Sequence, residues 1–288
     1  MYVVAGATGQ TGGAVAEALL EAGQRVTILA RNEGKASAWK SKGAGIAVAD
    51  LGDEPALARA LSGADGAFLL IPPDYALSDY VEDRRRLARS MARAVAAAGV
   101  PHVVLLSSIG AQRPEGTGLI LALRGAEEEI APAARNVTVV RAAYFIENWA
   151  TVLGTAKANG VLPTFLSADR RIPMVATMDV GRAAAEALLH PANGKRRIEL
   201  AGPEDDSPDD LARILSSLLG RDVRAEQAPL AAVVPTFRSF GMSEGSARRL
   251  EEMYEAINEA RVSFEGEGAE IRRGPTGAAE VFRGILGV

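Results

Sequence analysis

Cysteine is absent from this chain of 288 residues, which excludes disulfides, thiolate nucleophiles and thiolate-bound metals together. Histidine is scarce as well, because His102 and His190 are the only two. They lie at a strand start and at a helix end, where we interpret both as structural residues, and no metal site is expected. Long apolar runs are also missing. None approaches the roughly 20 residues that span a bilayer, so no transmembrane helix is expected.

An excess of positive charge is missing too. The chain carries 32 basic and 36 acidic residues, a formal net charge of −4, and no basic block. Binding to a nucleic-acid backbone is therefore not expected. The N-terminus lacks the basic segment and apolar stretch of a secretory signal, which favours a cytoplasmic protein. The sequence leaves the oligomeric state open, with a homodimer as one alternative.

The first half of the chain alternates short apolar runs with longer helical patterns. The apolar runs are nearly continuous, as is typical of strands whose two faces are both covered by helices. The predicted strands are YVVAG, RVTILA, GIAVAD, GAFLLI, HVVLLSS and NVTVVR, and the predicted helices cover 11–22, 33–41, 53–61, 77–98 and 118–134. This order predicts a Rossmann-type α/β fold, with a doubly wound parallel sheet over residues 1–142.

The pattern loosens after residue 142. We interpret AYFIENWATVLGTAKANG as a helix, RRIPMVAT as a short strand or loop, MDVGRAAAEALLH as a helix and KRRIEL as a strand. Further helices are predicted at SPDDLARILSSLLG, 242–262 and 275–287. Residues 143–288 are therefore predicted to form a smaller, mostly helical C-terminal lobe, from which the segments near 172–200 return to the main sheet.

Three glycines follow the first predicted strand, in the stretch VVAGATGQTGGAV. Gly6 suits a tight turn, Gly9 lets a pyrophosphate approach the backbone, and Gly12 permits close packing of helix and strand. The helix that follows directs free N–H groups and a positive dipole at the phosphates. The spacing G-x-x-G-x-x-G departs from the usual G-x-G-x-x-G. A glycine-rich turn without a ligand is the alternative interpretation.

Arg31 stands at the end of the second predicted strand, where the usual fingerprint has an acidic residue that binds the ribose 2′-hydroxyl. A cation at this place suits the 2′-phosphate of NADP, and Lys35 could assist from the next helix. A surface arginine without a ligand is the alternative. Asp50, after the third strand, is a candidate for contact with the adenine ring, although capping of its own loop explains it equally well.

Ligands of open α/β sheets bind outside the carboxyl ends of the strands. Ile71 and Pro72 follow the fourth predicted strand, and Ser107 and Ser108 end the fifth. We expect these positions to line the nicotinamide half of a dinucleotide site. Ser107 could hydrogen-bond the nicotinamide ribose or a substrate, or it could cap its own loop.

The segments GATGQTGGAV, ARN, LLSSIGA, VRAAYFIENW, IPMVATMDVGRAAAEAL and EMYEAINEARVSF together resemble the NmrA-like group of atypical short-chain dehydrogenase/reductases. The resemblance covers nearly the whole chain. It implies an NADP-binding Rossmann domain with a smaller C-terminal lobe. Members of the group include NADPH:quinone oxidoreductases and also regulators that sense dinucleotides without turning them over.

The resemblance also implies roles for individual residues. The nicotinamide would lie beneath Tyr144, Phe145 and Asn148 at the junction with the lobe, and Tyr144, Asn148 and Ser107 are the catalytic candidates. Phe145 is explained equally well by burial. The remaining cofactor-binding candidates are Gly6, Thr8, Gly9, Gln10, Thr11 and Gly12 at the pyrophosphate, Arg31 at the 2′-phosphate, and Ile71, Pro72 and Ser107 at the nicotinamide half.

One element of the wider superfamily is missing, namely the Tyr-x-x-x-Lys pair whose lysine activates the tyrosine for proton exchange with an alcohol or carbonyl. None of the five tyrosines has a lysine four residues later. Reduction of a quinone is less demanding, because hydride addition gives a stabilised phenolate that solvent can protonate. The sequence thus favours NADPH-dependent hydride transfer to a quinone or similar planar acceptor. A non-catalytic NADP(H) sensor that acts on a protein partner is the alternative.

Overall fold

The first half of the computed structural model, which describes residues 1–288, alternates strands and helices without interruption. Its elements are β1 Tyr2–Ala5, α1 Gln10–Glu21, β2 Val26–Ala30, α2 Glu33–Ser41, β3 Gly45–Val48, α3 Glu54–Leu61, β4 Gly66–Leu69, α4 Tyr80–Ala98, β5 His102–Ser108, α5 Ile120–Ile130 and β6 Asn136–Ala142.

The second half mixes short strands with helices. Its elements are β7 Tyr144–Phe145, α6 Ala150–Asn159, β8 Val161–Thr164, β9 Ile172–Val175, α7 Thr177–Leu189, β10 Lys195–Ala201, β11 Asp205–Asp206, α8 Pro208–Leu219, β12 Arg224–Gln227, α9 Val233–Ser239, α10 Glu244–Asn258, β13 Glu270–Arg273 and α11 Ala278–Leu286. Short 3₁₀ helices span Ile146–Trp149 and Leu230–Ala232.

The central sheet has eight strands in the order β13-β10-β6-β5-β4-β1-β2-β3. All of its neighbouring pairs are parallel. This confirms the predicted doubly wound α/β fold. The chain moves outward from β1 to β3 and then returns to β4 on the other side of β1. The topological switch point, and with it the crevice for a ligand, therefore lies at the carboxyl ends of β1 and β4.

Both faces of the sheet are buried, which explains the continuous apolar runs. Successive side chains of a strand point to opposite faces. Val4 and Val104 accordingly pack under α1, α2 and α7, whereas Val3 and Leu105 pack under α3, α4 and α5. The helix α7 and the strand β10 belong to this main layer although they come late in the chain.

The remaining C-terminal elements form a lobe with its own core. Trp149, Leu153, Leu215 and Phe282 bring α6, α8 and α11 together in a separate apolar cluster. Two small sheets, β11-β9-β7 and β12-β8, complete the lobe. No helix is both long and apolar enough to cross a membrane.

One local prediction needs correction, and one edge strand was missed. The segment predicted as one helix over AYFIENWATVLGTAKANG contains β7, a 3₁₀ turn and α6. Tyr144 and Phe145 pair with Met174 and Val175 of β9, a long-range contact that overrides helical periodicity. The edge strand β13 was not predicted, because EIRR has no apolar run and owes its strand conformation to pairing with β10.

Candidate functional site

The glycine turn between β1 and α1 stands at the switch point. Gly6 has a φ of +69°, a left-handed conformation that favours glycine. A Cβ on Gly6 would lie 2.7 Å from Leu70 Cδ2, so the turn also packs directly on the end of β4. A Cβ on Gly12 would overlap the carbonyl group of Gly6 and lie 2.7 Å from Ala5 O. The first turn of α1 is thereby pressed against the backbone of the strand that precedes it.

The N-terminus of α1 has no protein group to satisfy its N–H groups. Gly9 provides no side chain to cap the helix, and its first turn contains no acidic residue. The first helical hydrogen bond comes from Gly13 N–H to Gly9 O at 3.0 Å. The N–H groups of residues 10–12 thus remain free beside the exposed Thr8 and Gln10 and the buried Thr11. Such an end is suited to an anion.

Two cations without acidic partners lie next to this turn. Arg31 directly follows β2 and Lys35 is on α2, and both side chains are exposed. The nearest acidic residue in sequence, Glu33, pairs with Lys40 instead. Asn32 caps α2 by accepting a hydrogen bond from Gly34 N–H at 2.8 Å. Arg31 therefore lies at the carboxyl end of β2 without an acidic partner, and its guanidinium can bind an anionic group.

The remaining cofactor-binding candidates, at the carboxyl ends of the strands, have different surroundings. Asp50 is exposed and accepts a hydrogen bond from Gly52 N–H at 2.8 Å. Ile71 is buried, and the carbonyl of Pro72 accepts a hydrogen bond from Arg84 Nη1 at 3.2 Å. Ser107 is buried and donates to Glu127 Oε1 at 2.5 Å. Its hydroxyl is therefore engaged on the α5 side of the sheet.

Glu127 is part of a buried charge cluster that sequence analysis missed. Arg141, at the end of β6, forms two hydrogen bonds with Glu127, at 2.9 and 2.7 Å. Its Nη1 donates to Glu265 Oε2 at 2.7 Å and lies 3.7 Å from the fully buried Glu199. Glu199 in turn accepts the backbone N–H of Glu265 at 2.9 Å. The cluster fastens the segment that follows α10 to the sheet. The sequence signal for this cluster is Arg141 itself, a charged residue at the end of the apolar run NVTVVR.

Tyr144, Phe145 and Asn148 lie at the junction of sheet and lobe. Phe145 packs on the sheet core, whereas Tyr144 packs on the lobe core, with its ring centroid 6.4 Å from that of Trp149. Asn148 is exposed, and its side chain lies near the Tyr144 phenol, whose pKa it lowers. Glu147, between them, accepts hydrogen bonds from the backbone N–H and the hydroxyl of Thr177 at the start of α7.

Two further tyrosines approach Tyr144 from distant parts of the chain. The phenol of Tyr254, on α10, lies close enough to that of Tyr144 to influence its pKa. Burial raises the pKa of Tyr144 well above its usual value, and the neighbouring Tyr254 raises it further. Burial likewise raises the pKa of Tyr254 and of Tyr75, which lies in the loop after β4. A raised pKa keeps these phenols neutral, so each of them can donate a hydrogen bond.

The position of Tyr254 is set by close contacts of α10. The hydroxyls of Ser243 and Ser246 both donate to the carbonyl of Leu77, at 2.5 and 2.9 Å. A Cβ on Gly245 would lie 3.0 Å from the carbonyl carbon of Ser78, and a Cβ on Gly118 would lie 2.7 Å from the backbone N of Met253. The backbone of α10 thus rests directly on the loops that follow β4 and β5, and it covers the carboxyl edge of the sheet.

Comparisons with known proteins agree with this arrangement. A sequence model of the NmrA-like family matches residues 2–280. The chain is 26% identical over 254 residues to the NAD(P)H azoreductase of Xenophilus azovorans, across 88% of this chain and 86% of that protein. It is 28% identical over 254 residues to quinone oxidoreductase 2 of Escherichia coli K12, across 87% of this chain and 85% of that protein.

A solved structure extends the comparison to the fold. The crystal structure of an NADPH-dependent quinone oxidoreductase from Escherichia coli complexed with NADPH has a TM-score of 0.83 to this chain at 25% identity. The match covers 99% of this chain and 100% of that one. Because the family's sequence pattern extends from β1 into α11, this chain belongs to the NmrA-like family.

Proposed function

We propose that this protein is an NADPH-dependent reductase that transfers hydride to a planar acceptor such as a quinone. The broader prediction of an NAD(P)H-dependent oxidoreductase is confirmed by the relatives, which are named as an azoreductase and a quinone oxidoreductase. The observation that carries the finer proposal is the uncapped N-terminus of α1, with Arg31 beside it, at the same sheet edge as the tyrosine pair Tyr144 and Tyr254.

The site residues fit a dinucleotide phosphate. We call the Gly6–Gly12 turn together with Arg31 and Lys35 the phosphate end. The free N–H groups of residues 10–12 would hold the pyrophosphate, and the turn itself leaves no room for a Cβ at Gly6 or Gly12. Arg31 and Lys35 would hold the 2′-phosphate, which supports NADPH over NADH. Asp50 would lie toward the adenine, and Ile71 and Pro72 toward the nicotinamide.

The acceptor end comprises Tyr75, Tyr144, Asn148 and Tyr254. A bound nicotinamide supplies the hydride, so the protein has to position the acceptor and stabilise the negative charge that develops on its oxygen. A neutral phenol with a raised pKa is a donor for that oxygen. No lysine follows Tyr144 at the spacing that would activate its phenol as an acid. We therefore assign to solvent the proton that the reduced acceptor takes up. We assign Ser107 a positioning role, because its hydroxyl holds Glu127.

The proposal is tested by following NADPH absorbance with benzoquinone as acceptor, with the direct chemical reaction subtracted in a reaction without protein. We expect protein-dependent oxidation of NADPH and slower oxidation of NADH. Tight binding of NADPH without turnover would overturn the proposal in favour of the sensor. Failure to bind either nucleotide in a calorimetric titration would overturn both interpretations.

A further inference from the structure

The helix α7 has no cap of its own. Ala176, at its N-cap position, has no hydrogen-bonding side chain. The carboxylate in its first turn, Asp179, is engaged by Thr276, whose backbone N–H and hydroxyl both donate to it at 2.9 Å. The cap comes instead from Glu147, 30 residues before the start of the helix. Its Oε1 accepts the backbone N–H of Thr177 at 2.9 Å and the hydroxyl of the same residue at 2.6 Å.

Capping alone does not account for Glu147. The residue is half-buried, and its second carboxylate oxygen, Oε2, is buried without a hydrogen-bond partner. A buried acceptor without a partner is unfavourable. A serine, threonine or aspartate at position 176 would cap α7 without that cost. The reason for Glu147 therefore has to be sought in the segment to which it belongs.

This segment carries two side chains of the acceptor end. Tyr144 precedes Glu147 by three residues, Asn148 follows it directly, and the 3₁₀ turn Ile146–Trp149 includes both Glu147 and Asn148. The strand β7 ends before the turn and pairs with β9, which leads into α7. The two hydrogen bonds between Glu147 and Thr177 continue this attachment past the end of β7. They hold the turn, and with it the acceptor end, to the first residue of α7.

The helix α7 is in turn packed tightly against α1, the helix of the phosphate end. A Cβ on Gly181 would overlap that of Ala14 and would lie 2.9 Å from the backbone N of Val15. No side chain of α7 separates the two helices at this point. The contact lies about one turn after the start of each helix. Glu147 is thus connected, through a single helix contact, to the turn that we propose to hold the pyrophosphate.

We infer that Glu147 is a positioning residue, which fixes Tyr144 and Asn148 relative to a nucleotide held by α1. This inference rests on the proposed function, because hydride transfer requires a fixed distance between the acceptor and the nicotinamide. Glu147 acts through Thr177 and does not touch the acceptor. A displacement of about 1 Å at the reacting atoms can lower a rate by about 100-fold. Loss of the hydrogen bonds to Glu147 should therefore lower kcat and leave the affinity for the nucleotide unchanged.

The test compares two threonine-to-valine variants at the same end of α7. Thr177→Val removes the hydroxyl bond to Glu147, whereas Thr276→Val removes a hydroxyl bond to Asp179, which does not involve the acceptor segment. Both threonines are buried, so both variants should lower the free energy of unfolding by a similar amount. We expect kcat with NADPH and benzoquinone to fall in Thr177→Val only, by about 10-fold, because the backbone N–H bond of residue 177 remains. Thr177→Ser, which keeps the hydroxyl, should restore kcat.

Two further measurements separate positioning from a purely structural role. Calorimetric titration should give the same dissociation constant of NADPH for the original protein and for both valine variants. Glu147→Ala should lower kcat by about 100-fold, and Thr177→Val added to it should have no further effect, because both changes break the same contact. Equal kcat in Thr177→Val and Thr276→Val, or weaker NADPH binding in Thr177→Val alone, would overturn the inference.

A measurement without turnover keeps the inference testable if the proposed function fails. Trp149 is buried and ends the same turn as Glu147. In a Trp39→Phe background Trp149 is the only tryptophan, and acrylamide should quench its fluorescence more strongly in Thr177→Val than in Thr276→Val. Absence of benzoquinone reduction in the original protein would contradict the reductase but not the hold of Glu147 on the turn. Equal quenching in the two valine variants would contradict the positioning role, whatever the turnover.

Discussion

At the phosphate end the proposed ligand-binding groups include main-chain N–H groups of one short stretch, residues 10–12, whereas those proposed at the acceptor end are side chains from three separate segments. The loop after β4 contributes Tyr75, β7 contributes Tyr144, and α10 contributes Tyr254. The main-chain part of the phosphate end has no side chain to exchange, so an added methyl group at Gly6 or Gly12 would disturb it. The acceptor end would tolerate substitution, and its selectivity would change instead.

The largest effect is expected from the charge cluster that fastens the segment after α10, the helix of Tyr254, to the sheet. Arg141→Met leaves Glu199 fully buried without its cation and removes both hydrogen bonds to Glu127. We expect the free energy of unfolding to fall by about 3–5 kcal/mol, measured by chemical denaturation. Arg93→Met removes an exposed pair with Glu54 and should cost at most about 1 kcal/mol.

The two variants also distinguish the two ends. In protein that remains folded, Arg141→Met should bind NADPH with nearly the original affinity, because the glycine turn does not contact the cluster. Acceptor turnover should be reduced. Equal stability of the Arg141→Met and Arg93→Met proteins would show that the cluster does not anchor this part of the molecule.

Gly12→Ala should damage the phosphate end. Its Cβ would overlap main-chain atoms of Gly6, which cannot move without opening the turn. We expect a loss of about 1–3 kcal/mol in stability and weaker NADPH binding, measured by thermal unfolding and calorimetry. Gly13→Ala is the neighbouring control, because its closest contact is an ordinary 3.4 Å to Ala7 O and alanine favours helix. If the two variants behave alike, the tight packing at Gly12 is irrelevant to the site.

Arg31→Glu tests the choice of nucleotide. Removing a charge-assisted pair with the 2′-phosphate should weaken NADPH binding by about 10- to 100-fold and change NADH binding little. Arg25→Glu makes the same charge change at the amino end of the same strand and should affect both nucleotides weakly. Fluorescence titration of NADPH and NADH supplies the four dissociation constants. A parallel loss of both nucleotides in Arg31→Glu would contradict the assignment.

At the acceptor end we expect an effect no larger than that of Arg31→Glu. Tyr144→Phe removes one hydrogen bond to an oxygen on which negative charge develops, so kcat should fall by about 10- to 100-fold. The pH dependence of kcat distinguishes this role from that of a general acid. Because the pKa of Tyr144 is raised above its usual 10.0, the phenol stays protonated and kcat should be flat between about pH 6 and 9. A pH-dependent step that Tyr144→Phe abolishes, and Tyr2→Phe does not, would identify Tyr144 as the acid.

The sequence was sufficient to predict the fold and the glycine turn before α1, because both depend on local signals. Continuous apolar runs predict buried parallel strands, and three glycines between a strand and a helix predict a turn that leaves N–H groups free. One helix and one strand separate Gly12 from Arg31, so Arg31 could also be assigned to the carboxyl edge of the sheet.

The acceptor end and the charge cluster could not be predicted in this way. Tyr254 meets Tyr144 only because α10 crosses the carboxyl edge, and Glu199 meets Arg141 only because β10 pairs with β6. Neither contact has a sequence spacing that encodes it. Ser107 shows how far prediction from the sequence extends. Its place at the end of a strand was predictable, but its hydrogen bond to Glu127 depends on the packing of α5.

The direct contact of α10 with the loops below it has a mechanical consequence. At Gly118 and Gly245 no side chain separates the two main chains, so pressing α10 closer to the sheet would bring backbone atoms into collision. The distance between α10 and the carboxyl edge therefore has a lower limit that is set by main chain and is insensitive to side-chain rotation.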